Sequence, residues 1–213
     1  MIVLRHIALC LGLVLVTGCA KNDLAEPPVQ LGNFGLGLNI AVADNVKKVP
    51  ISRNATVEEW EAAMIKAVDD RFGRYEGTRL YNFGISVDGY ALAPPGIPVV
   101  AAPKSVLVIT ANIWDDAAEM KLNPEGKRFT IFEGLSGETV IGTGLTRSKA
   151  QQMEALSYNA VKAVEGWLLD NPSWFGLPAG DIPRDGSAPP VVTAPVIAPP
   201  APAPALAVPP TEA

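Results

Sequence analysis

The clearest pattern of apolar and polar positions is the run YNFGISVDG. Tyr81, Phe83, Ile85 and Val87 alternate with Asn82, Gly84, Ser86 and Asp88. A period of two places the first set on one face of a strand and the second on the other, so this segment predicts a half-buried strand with a solvated back. LNIAVADNV places Leu38, Ile40 and Val42 on one face and predicts a first strand. SVLVITANIWD is apolar on both faces at its start and predicts a central strand. KRFTIFEGL after the turn signal NPEG, and TVIGTG after SGE, predict two more strands joined through tight hairpins.

Two segments carry the helical period instead. In ATVEEWEAAMIKAVDDRFGRY, residues Val57, Trp60, Met64, Ala67, Val68 and Phe72 recur at steps of three and four. Thr56 and Glu59 form a capping-box pattern at its start, and Gly73 is the expected stop. Over residues 148–169, Met153, Leu156, Ala160, Val164, Trp167 and Leu168 make one stripe, with Ser148 and Gln151 as the capping pair and Pro172 ending the helix. The order β-α-β-β-β-β-α predicts an α+β fold. It is a two-layer sandwich whose mostly antiparallel sheet of about five strands carries both amphipathic helices on one face. The other face would present Ser86, Asp88, Thr110 and Asn112 to water or to a partner.

The flanks differ in character. Residues 1–18 read as a targeting segment, with Arg5 in a short n-region, an apolar run from Ile7 to Val16, and the small residues Thr17 and Gly18 before Cys19. Ten apolar residues rise only about 15 Å as a helix, half of a hydrocarbon core, so a spanning anchor is not expected. Residues 19–37, with Pro27-Pro28 and several glycines, read as a flexible tether, and residues 38–178 as a single domain. Residues 179–213 read as a disordered Pro/Ala-rich tail, with nine prolines between residues 187 and 213. That tail is either a ligand for a specific reader or has none. ALAPPGIPVVAAPK, with four prolines, is the longest connection and the candidate functional loop, over 93–104.

The ending Val16-Thr17-Gly18-Cys19 resembles the lipobox of bacterial lipoproteins. The resemblance implies cleavage between Gly18 and Cys19, a thioether-linked diacylglycerol on Cys19, and acylation of the new amino terminus. At roughly 0.8 kcal/mol per buried methylene, three acyl chains hold a protein on a membrane for practical purposes permanently. Where the family pattern has an Asp after the modified Cys to retain a lipoprotein in the inner membrane, this chain has Ala20. The resemblance therefore points to the inner leaflet of the outer membrane, facing the periplasm.

The same cut changes the chemistry available. His6 is the chain's sole histidine and Cys10 the only other cysteine, and both precede the cut. The processed chain would have no histidine, no free thiol and no disulfide. Ser-His-Asp and Cys-His nucleophiles and His-based metal sites are thereby excluded. Without Arg5, 16 basic residues stand against 22 acidic, a net charge of −6, and no basic cluster is larger than the pair Lys47-Lys48. Nucleic acid is not an expected partner, and no cofactor or metal motif is present. LGNFGLGLN does not have the spacing of a phosphate-cradling loop.

The lipobox, the long strands, VLVITANIWDDAAEM, the predicted hairpin FTIFEGLSGETVIGTG and a closing helix near Ser148 are together similar to small Gram-negative envelope lipoproteins of unknown function. Among these are auxiliary lipoproteins of lipid transporters and domains like the N-terminal domain of TolB. That resemblance implies a non-catalytic binding or assembly subunit with an envelope protein partner.

Other candidates rest on single features. Asp88, Asp115, Asp116, Glu119 and Glu133 could supply a carboxylate pair for a small periplasmic hydrolase, although Asp115-Asp116 also read as a solvated strand end. An oligomeric secretion-pore subunit is a third reading. Asn54-Ala55-Thr56 matches a glycosylation sequon, with Thr56 already in a cap role. Trp60 and Trp167 belong to apolar stripes. Trp174 and Phe175 form either a lid on the core or an exposed aromatic anchor.

Overall fold

The computed structural model describes residues 23–94, 105–133 and 147–178. Its elements are β1 (Gly35–Val42), β2 (Lys47–Lys48), α1 (Val57–Phe72), β3 (Leu80–Ala91), β4 (Val106–Asp115), β5 (Met120–Lys121), β6 (Lys127–Phe132) and α2 (Lys149–Leu169). The strand expected at TVIGTG lies outside the described residues, as do most of the proline loop and the tail.

Both helices start as their sequences predict. Thr56 accepts from the Glu59 N–H at 3.2 Å while Glu59 accepts from the Thr56 N–H, and Ser148 and Gln151 repeat the exchange on α2. Each box satisfies N–H groups that a first helical turn leaves unpaired. Gly73 ends α1, its N–H donating to the Asp69 carbonyl.

The sheet is mixed. β3 and β4 pair antiparallel over their whole lengths, and β6 and β5 pair antiparallel with the far side of β4, which makes β4 central as predicted. β1 and β2 join β3 in parallel. A parallel neighbour needs a crossover, and α1 supplies it. Tyr81, Phe83, Ile85 and Val87 point inward beside Leu107, Ile109, Ala111 and Ile113 of β4. Trp60, Met64, Val68 and Phe72 of α1 and Leu156, Ala160, Val164 and Leu168 of α2 close over them as a second layer.

Three features differ from expectation. Leu38, Ile40 and Val42 do share a face, but it is the outer one. Phe83 and Ile85 point inward, so their partners Asn39 and Ala41 do too, and Ile40 and Val42 lie beside Gly84 and Ser86. A register shift between Leu36 and Asn39 sets this alternation, since one inserted residue exchanges the two faces. Second, NPEG does not close a tight hairpin. The chain turns at Asp116–Glu119, and Asn123 then interrupts the arm between β5 and β6. Its side chain stands in for a strand, accepting from the Ile113 N–H at 2.9 Å and donating to the carbonyls of Ala111 and Glu125.

Third, the segment expected as a tether is folded from Asp23 onward. Leu31 and Phe34 are buried, and Phe34 is an aromatic hub, stacked on Tyr81 and in ring contact with Phe72, Tyr75, Phe83 and Phe175. Proline and glycine prevented a helix here but not burial. At the other end Pro172–Phe175 forms a 3-10 turn that folds back on the core. Phe175 is buried and Trp174 packs edge-on against Trp167, so this pair is the lid.

Candidate functional site

Gly18 and Cys19 lie outside the described residues, which begin four positions later. What the structure describes is where that N-terminal stretch enters the fold. Asp23 opens a short 3-10 turn over the helical layer, and its carboxylate gathers three donors. Arg71 donates at 2.7 Å, Lys162 pairs at 2.8 Å, and the Tyr158 hydroxyl donates to the same oxygen as Arg71. Arg71 is only 2% exposed. Its other nitrogen donates to Glu165 at 2.6 Å, and Glu165 also accepts from the Tyr75 hydroxyl at 3.0 Å. Arg74 reinforces the junction by donating to the carbonyls of Leu24 and Glu26.

A buried guanidinium is tolerable only where carboxylates meet it with good geometry, and here two do. Burial alone would raise the Asp23 pKa, but the hydrogen bonds from Arg71, Lys162 and Tyr158 outweigh it and hold this carboxyl far below the ordinary range. Burial, then the Glu165 charge, push the Tyr75 hydroxyl far up, so it remains a donor. The pattern left a partial signal: Arg71 and Glu165 fall on or beside apolar stripes, where a charge needs a buried partner. Nothing local identified Asp23 as one of those partners.

Beside this junction α1 and α2 form a groove of about 600 Å³ whose apolar lining includes Leu24, Ala63, Ala67, Ala150 and Met153. Lys66, Lys149 and Glu59 are among its charged lining residues, and Lys149 is paired with Glu59 at 2.7 Å.

The acidic candidates do not converge. Asp115 is buried at the end of β4, where the Arg79 guanidinium holds it. Glu133 is buried beyond the other end, its N–H on the Ser105 carbonyl and its carboxylate on Arg147 at 3.1 Å. The ten residues of β4 separate these two by about 30 Å, far beyond the roughly 5–9.5 Å of a glycosidase pair. Asp88 lies on the open face, accepting from Ser86 and Thr110. Asp116 accepts from Asn82, and Glu119 is exposed in the turn. Among the described residues no group of three or more His, Cys, Asp or Glu could hold a metal ion.

Ser86, Asp88, Thr110 and Asn112 share the open face with Gly84, as the alternation predicts. Trp114 lies there too. A Cβ on Gly84 would come within 2.9 Å of its ring, so the indole occupies the space that the glycine leaves open, and the Lys121 ammonium lies over the same ring at 5.7 Å. Of the proline loop, Ala93 is described and buried, its N–H on Ser105 Oγ and its carbonyl on Gln152. Asn54 accepts from Lys48 beside the Thr56 cap.

No family model matches the chain, and no curated protein matches it in sequence. Among the solved structures that resemble it are two weak matches. One is a presumed lipoprotein from Caulobacter crescentus CB15, at 12% identity and a TM-score of 0.35, covering 62% of this chain and 91% of that one. The other is a Xanthomonas campestris protein of the DUF330 family, at 13% identity and a TM-score of 0.36, covering 71% and 92%. Similarity at this level does not bear on function.

Proposed function

We propose that this chain is a lipid-anchored envelope protein, modified at Cys19 and facing the periplasm, that works by binding or assembly and not by catalysis. The observation that carries the reading is Val16-Thr17-Gly18-Cys19 at the end of an apolar run, four residues before Asp23 is bonded into the fold. Four residues reach at most about 14 Å. A lipid on Cys19 would therefore hold the domain close against the bilayer, with the Asp23 junction on α1 and α2 on the membrane-proximal side. Ala20 in place of Asp favours the inner leaflet of the outer membrane over the inner membrane.

The acidic residues that could have served a hydrolase are instead engaged singly, Asp115 with Arg79, Glu133 with Arg147 and Asp88 with Thr110. A binding or assembly role leaves the open sheet face and the groove between the helices as contact surfaces, for an envelope protein partner. The test is metabolic labelling with a radioactive fatty acid in Gram-negative cells, joined to proximity labelling from the domain. Label on the natural chain, none on Cys19→Ala, and one recurrent envelope protein recovered would support the proposal. An unlabelled natural chain would refute the anchor, and recovery of no envelope protein from intact membranes would refute the binding role.

A further inference from the structure

The outer margin of the sheet is built differently from the other. β1 pairs with β3 on one side; apart from an isolated bridge between its first residue, Gly35, and Glu76, no other described strand pairs with it. Residues 33–43, NFGLGLNIAVA, contain no charge and no proline. Exposed edge strands are usually blunted by lysine, proline or short length. The opposite margin follows that rule, with Lys121 on β5 and Lys127-Arg128 opening β6. β1 has eight residues, and on its open face Leu38, Ile40 and Val42 are 61%, 52% and 44% exposed. On the helical side the edge is flanked by Ile65 of α1, 36% exposed, whose carbonyl accepts from the Asn39 side chain. The two acids on that side turn back onto their own chain, Glu61 accepting from the Ala43 N–H and Asp69 from Asn39.

We infer that β1 pairs antiparallel with β1 of a second copy across a two-fold axis at Ile40, joining the two sheets into one. Opposed residues of an antiparallel pair point to the same face, so a symmetric pairing must be centred on a residue. Centred on Ile40, it sets Leu38 against Val42 of the second copy and Asn39 against Ala41. The aliphatic stripe then meets its own continuation, and no like charges stand opposed. The competing occupants fit less well. A bilayer would leave the N–H and C=O groups of an open edge unsatisfied in hydrocarbon. The chain's own residues 187–213 carry nine prolines without N–H groups and make a poor ladder partner.

Sedimentation of the full chain in detergent over a range of concentrations tests this, comparing the natural protein with Ile40→Lys and with Ile51→Lys, an exposed aliphatic outside the strands. The expected result is a dimer whose dissociation constant rises at least tenfold in Ile40→Lys and stays unchanged in Ile51→Lys. In a Cys10→Ser, Cys19→Ser background, Ile40→Cys should oxidise to a linked dimer and Ile51→Cys should not. A natural chain that stays monomeric, a dimer indifferent to Ile40→Lys, or an Ile40→Cys variant that does not link would each overturn the pairing. The lipid on Cys19 plays no part in it.

Discussion

The Asp23 carboxylate accepts from the buried Arg71 guanidinium at 2.7 Å across 48 positions of sequence, and Glu165 holds the other side of the same group at 2.6 Å. This triad welds the start of the folded chain to both helices. Removing the cation leaves Glu165 buried without its counter-charge, a change that typically costs about 3–5 kcal/mol. Arg71→Met should therefore lower the urea midpoint by the equivalent of about 3 kcal/mol or more. Asp23→Asn, on the more exposed side, should cost less. Equal midpoints for Arg71→Met and the natural chain would contradict a structural role for the triad.

The junction also sets a pH dependence. The folded-state pKa of Asp23 lies well below its unfolded value of about 3.9. A group depressed in this way contributes stability that is fully present above the unfolded pKa and is lost as pH falls through the folded one. Between about pH 5 and 8 this carboxylate should leave the unfolding free energy flat, and below about pH 4 stability should decline. In Asp23→Asn that acid-side slope should be shallower. Identical slopes for the two proteins would remove Asp23 as a source.

Phe34 and Gly77 test whether residues 31–37 belong to the core. Phe34 is buried among five rings, and its carbonyl lies 2.3 Å from where a Cβ on Gly77 would stand. Phe34→Ala should cost about 3–5 kcal/mol by leaving a cavity. Gly77→Ala should cost about 1–3 kcal/mol by forcing the two backbones apart. Both are read from denaturant unfolding, and near-neutral values would restore a tether reading of this segment.

Asn123 offers a sharper test of the arm between β5 and β6. Buried, it makes two hydrogen bonds that replace strand pairing to β4, at Ile113 and Ala111, and a third to the Glu125 carbonyl of its own arm. Asn123→Ala leaves the Ile113 N–H unpaired, which should cost about 1–3 kcal/mol. Hydrogen exchange should show the loss as faster exchange at Ile113, with Ile109 and its pairing to β6 unaffected.

What the sequence made legible was local. The alternation from Tyr81 to Val87, both capping boxes and the apolar stripes of the helices depend on residues a few positions apart, and each appears where the pattern puts it. What it concealed depends on distant residues. The outward face of Leu38, Ile40 and Val42 follows from one register shift against β3, which alternation alone cannot locate. Leu31 and Phe34 stand among prolines and glycines and look like linker until Tyr81 and Phe175 close around them. The pairing of Arg71 with Glu165 spans 94 positions, and no local pattern points to it. For the candidate site the relation is reversed. Cys19 is legible only in the sequence, whereas the way the chain is bonded into the fold four residues later is legible only in the structure.

The central claim is that Cys19 is the lipid-bearing first residue of the working protein, close ahead of a folded domain. The most direct measurement is the mass of the N-terminal peptide of the natural chain purified from Gram-negative membranes. The account predicts a peptide beginning at Cys19 and carrying a diacylglycerol and an amide-linked acyl chain. A peptide that still contains residues before Cys19, or that begins there without lipid, would contradict it.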